Sequence, residues 1–75
     1  MLSYAVSNDV LIYLIGQTVN GSNERRIAAK FILDCLRSYH SGEEIAACIA
    51  ELEDTAYFEV GSEARDLAEG LGLLE

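Results

Sequence analysis

The run VLIYLIG, residues 10–16, restricts the folding of this 75-residue chain more than any other feature, because six consecutive apolar residues must be covered. A membrane-spanning helix needs roughly 18 or more apolar residues. Gly16, Gln17 and Asn20 interrupt this stretch too early, so no membrane anchor is predicted. The opening MLSYAVSND has no positively charged segment and no convincing cleavage site, so no signal peptide is predicted either.

An apolar run of this length is typical of both a buried strand and a core helix. Three observations favour a helix: Ser7, Asn8 and Asp9 offer an N-cap, the apolar residues continue to Val19, and no second strand is available for pairing. We expect this helix to end near Asn20-Gly21, in a left-handed glycine cap.

Turn-forming residues divide the chain into four segments, at NGSN (20–23), HSG (40–42) and VGS (60–62). The second segment, residues 24–40, places Arg26, Lys30 and Arg37 on one side of a helix whose apolar side is unusually wide. A helix of this kind is central in a domain or lies in an interface. The third segment opens with a capping box, Ser41-Gly42-Glu43-Glu44, and continues as an amphipathic helix.

The last segment, SEARDLAEGLGLLE, predicts a short helix capped by Ser62 and an apolar tail that packs back on the body. The predicted fold is all-α and forms one domain, residues 1–75. It is a small bundle of three main helices plus a short C-terminal helix, with a central antiparallel helical hairpin over about residues 24–58.

A chain this short buries only about 60% of the surface that its unfolded form exposes. Two helices with wide apolar faces need more cover than such a core provides, and a second copy is the simplest cover. The sequence therefore predicts a homodimer. The residues expected in the core or the oligomer interface are Leu11, Tyr13, Leu14, Ile15, Phe31 and Ile32.

Charge is unevenly distributed along the chain. The formal net charge is −8, and residues 43–75 hold ten acids against Arg65 alone. Direct binding to nucleic acid is not expected, because phosphate contacts need clustered Lys and Arg. Wound as a helix, the third segment gathers an acidic face within roughly 100°. Its members are Glu43, Glu44, Glu51 and Asp54, with Glu63 and Asp66 extending it.

The two cysteines, Cys35 and Cys48, fall opposite each other if the second and third segments form an antiparallel hairpin. Reduced core thiols, a disulfide or redox pair, and a metal site with His40 are the alternatives. No paired Cys or His spacing supports the metal site, so no metal ligand is predicted. No catalytic residue and no cofactor motif is recognised, and the chain is not expected to be an enzyme.

The predicted function is that of a small acidic regulator or inhibitor that docks its acidic face on a basic surface of a partner protein, for example one that binds nucleic acid. The alternatives are a structural oligomerisation module without a separate partner and a carrier of apolar ligands. Two cysteines without a secretory signal point to a reducing compartment, so a cytoplasmic location is expected.

Overall fold

The computed structural model describes residues 2–55 and 58–74, and these residues form four α-helices. The helices are α1 (Asn8–Asn20), α2 (Asn23–Ser38), α3 (Gly42–Glu53) and α4 (Phe58–Gly70). The described residues contain no β-strand, and the prediction of a small all-α bundle is confirmed. VLIYLIG lies within α1, so the choice between strand and helix is settled in favour of helix.

Each of the first three helices begins after a serine that acts as its N-cap. The hydroxyls of Ser7, Ser22 and Ser41 accept hydrogen bonds from backbone amides three residues later, at 3.4, 3.4 and 3.3 Å. These bonds satisfy amides that have no partner inside the helix. The cap predicted at Ser41 is confirmed, and the Glu44 carboxylate accepts from the Ser41 hydroxyl at 3.4 Å.

Helix α2 is the centre of the bundle, as the width of its apolar side indicates. It packs extensively on α1 and on α4 and less extensively on α3, which packs mainly on α4. Its five buried residues are Ala28, Ala29, Ile32, Cys35 and Leu36. The small side chains of Ala28 and Ala29, with Ala64 and Ala68 of α4, are fully buried and allow the helices to approach closely.

Helix α4 begins earlier than the sequence predicts. Val60, Gly61 and Ser62 lie inside it rather than in a loop, so the expected Ser62 cap is wrong. Gly61 is buried against α3, where an added Cβ would stand 2.8 Å from the Glu53 nitrogen and 2.9 Å from its Cα. The glycine therefore permits a close helix crossing instead of ending a helix. With 13 residues, α4 is as long as α1.

Gly21 corrects a second expectation. Its φ of −75° and ψ of 171° are extended rather than left-handed, so the predicted left-handed cap of α1 is wrong. An added Cβ would stand 2.8 Å from the Gln17 carbonyl oxygen and 3.3 Å from the Arg25 Cβ. Glycine is favoured there because a Cβ would clash with the Gln17 carbonyl oxygen in the last turn of α1.

The two ends of the described chain meet near the end of α2. The amides of Ser3 and Tyr4 both donate to the Leu36 carbonyl at 2.9 Å, and the Ser3 hydroxyl donates to the Arg37 carbonyl at 2.9 Å. These bonds satisfy carbonyls that the last turn of a helix leaves free. The Tyr4 hydroxyl also donates to the Leu73 carbonyl, at 3.1 Å.

Helix α4 ends in a glycine-based cap. Gly72 has a φ of +71°, and the amides of Gly72 and Leu73 donate to the carbonyls of Glu69 and Ala68. This pair of bonds is a Schellman motif, which favours glycine at the left-handed position. The motif turns Leu73 into the core, where it is 2% exposed, and the predicted packing of the apolar tail is confirmed.

Candidate interaction surfaces

The outer side of α1 carries an apolar surface that the other described residues leave exposed. Ile12, Ile15 and Val19 are 68%, 55% and 69% exposed. At 100° per residue they lie within roughly 60° of one another, and Gly16 lies beside them. An added Cβ at Gly16 would have no atom within 4 Å. We call Ile12, Ile15, Gly16 and Val19 the α1 stripe; the only charge in α1 is Asp9, at its start.

The residues predicted for the core or the interface separate into three groups. Leu14 and Ile32 are fully buried, and Leu11 and Phe31 pack partly buried against the core. Tyr13 and Ile15 are exposed. Ile12 and Val19, which the sequence analysis did not select, are more exposed than Ile15. Ile12 lies one helical turn before Ile15 and Val19 one turn after it, and this spacing could have predicted that all three share one side of the helix.

Tyr13 is engaged within the molecule through its hydroxyl. Arg25 of α2 donates to the Tyr13 hydroxyl at 2.8 Å, to the Gln17 amide oxygen at 2.7 Å and to the Glu63 carboxylate at 3.1 Å. The hydrogen bond that Arg25 donates to Tyr13, followed by the one it donates to Glu63, raises the pKa of Arg25. One guanidinium thus connects α1, α2 and α4 with the fork geometry that arginine provides. The spacing of these residues along the sequence does not predict that Arg25 contacts residues on two other helices.

The four carboxylates of the predicted acidic face all lie on the surface. Glu43, Glu44, Glu51 and Asp54 are exposed, and none of them forms a salt bridge within residues 2–55 and 58–74. The two suggested extensions differ, because Asp66 is exposed whereas Glu63 is bound by Arg25.

Glu53 is another acidic residue of α3, but its carboxylate binds Arg65 and so joins α3 to α4. Its carboxylate accepts from the Arg65 Nε at 3.0 and 3.1 Å and from Nη2 at 2.6 Å. This paired hydrogen bonding lowers the pKa of Glu53 and raises that of Arg65. Arg65 is the only Lys or Arg after residue 42, and its salt bridge goes to Glu53 rather than to a member of the acidic face.

The predicted thiol pair lies between α2 and α3. Cys35 is 2% exposed, Cys48 is half-buried, and the two thiols are close enough to influence each other's ionisation. Burial, followed by the charge of Cys48, raises the pKa of Cys35 to about 12. The Tyr39 hydroxyl lies 3.6 Å from the Cys48 sulfur. Both cysteines are free thiols in this structure.

A shallow pocket of about 240 Å³ opens beside Cys48 and is lined by Tyr39, Glu44, Ala47, Cys48 and Glu51. It places two residues of the acidic face at the same opening as a thiol.

In the described residues, no group of three His, Cys, Asp or Glu side chains is arranged to hold a metal ion. Within the same parts of the chain, no helix combines the length and the apolar character needed to cross a membrane.

Comparisons of the sequence and the structure with known proteins identify no relative of this chain. No protein-family model matches the chain, and no curated protein or solved structure is detectably similar to it. Inference about function therefore depends on the surfaces described above.

Proposed function

We propose that this chain is a non-catalytic protein-interaction module that forms a symmetric homodimer through the α1 stripe. The observation that carries the proposal is the exposure of three aliphatic side chains on one uncharged side of α1. Leaving such side chains in water is unfavourable, since burial contributes roughly 25 cal/mol for each Å² of apolar surface. A second copy offers the same uncharged surface and requires no charge to be desolvated.

The residue pattern of the stripe suits an antiparallel pairing of two α1 helices. With the twofold axis between Ile15 and Gly16, Ile12 of one copy faces Val19 of the other. Ile15 then meets Ile15 of the second copy on one flank. On the other flank the two Gly16 residues meet, and the open space at Gly16 lets the helices approach closely. Antiparallel helices also place opposite ends of their dipoles together.

A matched pair of lysine substitutions tests this interface. Ile15 and Ile27 are both 55% exposed, but Ile27 lies on α2, outside the stripe. We expect Ile15→Lys to be a monomer in size-exclusion chromatography with light scattering, because it buries a charge in the interface. Ile27→Lys makes the same change in net charge and is expected to remain a dimer. Dissociation of both variants alike, or a monomeric parent chain, contradicts the proposal.

The second candidate function is docking of the acidic face on a basic surface of another protein. Four exposed carboxylates without salt bridges in the described residues favour it. Such a surface accelerates encounters with cationic partners at low ionic strength. In the proposed dimer the two acidic faces would make each assembly bivalent.

The test uses an immobilised lysine-rich polypeptide and two charge-matched double variants. Glu51→Lys with Asp54→Lys alters the acidic face, whereas Glu59→Lys with Glu69→Lys makes the same charge change on α4, where both acids are exposed and neither belongs to that face. We expect retention to fall strongly for the first variant and only slightly for the second. Equal losses would mean that net charge alone controls binding, and the acidic face would then have no special role.

A further inference from the structure

We propose that Cys48 and Cys35 form a thiol–disulfide exchange site, in which Cys48 reacts first with a small disulfide and Cys35 then closes a bond between α2 and α3. The site is independent of the proposed dimer. It depends on three features of the structure: the adjacency of the two thiols, their unequal exposure and the pocket at Cys48.

Adjacency follows from the crossing of α2 and α3. Cys35 belongs to the buried core, and Cys48 packs against that core from α3. Tyr39 connects the two sites, because its amide donates to the Cys35 carbonyl at 2.8 Å and its hydroxyl lies 3.6 Å from the Cys48 sulfur. The two thiols are close enough to influence each other's ionisation, and a disulfide forms where the α-carbons of such a pair lie within about 7 Å.

Unequal exposure determines the order of reaction. Cys48 lines an open pocket together with Tyr39 and Ala47, whereas Cys35 lies in the core, so a reagent from solvent meets Cys48 first. Cys35 is shielded from solvent, and the raised pKa of its thiol keeps it protonated at neutral pH. Since the thiolate is the nucleophile, Cys48 is the entry point and Cys35 is the resolving residue.

The chemistry balances with one disulfide, RSSR, as the oxidant. The Cys48 thiol loses its proton to solvent and its sulfur attacks one sulfur of RSSR, which releases the first thiolate and leaves Cys48 joined to SR. Once Cys48 carries SR, its charge no longer opposes ionisation of Cys35; the Cys35 thiol then passes its proton to the departing second thiolate as its sulfur attacks the Cys48 sulfur. Two protein thiols are oxidised to one disulfide, and RSSR is reduced to two molecules of RSH. The product links α2 to α3, whose direct packing is limited.

Oxidised glutathione is a suitable probe for the full chain, with intact-mass spectrometry as the readout. We expect an adduct of one glutathione on Cys48, followed by conversion to a product that has lost two hydrogen atoms relative to the reduced chain. Cys48→Ser should slow the first modification by about tenfold or more, because only the buried thiol remains. Cys35→Ala should form the single adduct and stop there.

Circular dichroism shows whether each variant retains its helices, and a Cys48→Ala variant serves if Cys48→Ser does not fold. The cross-linked product should also melt at a higher temperature than the reduced chain, because the bond restricts the unfolded state. Three results overturn the proposal: two glutathiones on one folded chain, a disulfide between two chains, or modification of the Cys48 variants at the parental rate.

Discussion

At the residue scale, glycines inside helices have different structural roles: one allows two helices to approach closely, and two face open space. Gly61 lies against the backbone of Glu53, so even one methyl group would force α3 and α4 apart. Gly16 and Gly70 face open space, and an added Cβ meets no atom within 4 Å at either position. The sequence predicts the turn role of glycine but gives no indication of a close approach by a helix distant in sequence. For this reason the sequence pattern wrongly predicts a loop at VGS (60–62).

Alanine substitutions at these positions should separate the two roles. Gly61→Ala is expected to lower the free energy of unfolding by about 1–3 kcal/mol, since the neighbouring backbone must shift. Gly70→Ala serves as the control and should be neutral or stabilising by up to about 1 kcal/mol, because alanine favours the helix. Urea denaturation measures both values. Equal stability of the two variants would show that the α3–α4 crossing is looser than described.

At the element scale, much of the fold is predictable from local pattern. The serine cap of α3, the helical nature of α1 and the central position of α2 follow from N-cap chemistry and from the width of the apolar sides. The contacts between elements are not predictable in this way. Neither the network around Arg25 nor the pairing of Arg65 with Glu53 has a spacing rule, because each joins residues on different helices.

The same limit applies to the candidate surfaces. The sequence indicates that VLIYLIG needs cover, yet only the packing direction of α1 shows which of its residues remain outside. That direction buries Leu14 and leaves Ile12 and Ile15 exposed. The exposure of the acidic face was easier to predict, because four carboxylates on one helical side rarely face a core.

The ion pair between Glu53 and Arg65 should give the α3–α4 contact a pH dependence. Its hydrogen bonds lower the pKa of Glu53 below the ordinary value of 4.5. The stabilisation is therefore complete above pH 4.5 and is lost as the pH falls through the lowered pKa of the folded state. Glu53→Gln should show a smaller loss of stability on acidification than the parent chain, measured by thermal melts between neutral pH and pH 3.

Glu51→Gln is the control for this prediction, because Glu51 is exposed and has no salt bridge among the described residues. Its acid sensitivity should resemble that of the parent chain. If Glu51→Gln and Glu53→Gln behave alike, the acid response reflects the general charge of the protein rather than this contact.

At the scale of the whole molecule, two surfaces of different character share one small body. The α1 stripe is apolar and uncharged, whereas α3 and α4 carry most of a formal net charge of −8. Two copies that associate through the stripe must overcome mutual repulsion between like charges. Salt screens that repulsion, so self-association should strengthen as ionic strength rises. Docking of the acidic face on a cationic partner should weaken under the same change.

Sedimentation equilibrium of the purified chain at low and high salt tests directly whether the α1 stripe is a homodimer interface. We expect a monomer–dimer equilibrium that shifts toward dimer with added salt. We also expect Ile15→Lys to remain monomeric at both salt concentrations. A parent chain that stays monomeric at every concentration, or an Ile15→Lys variant that dimerises as the parent does, would contradict the proposed interface.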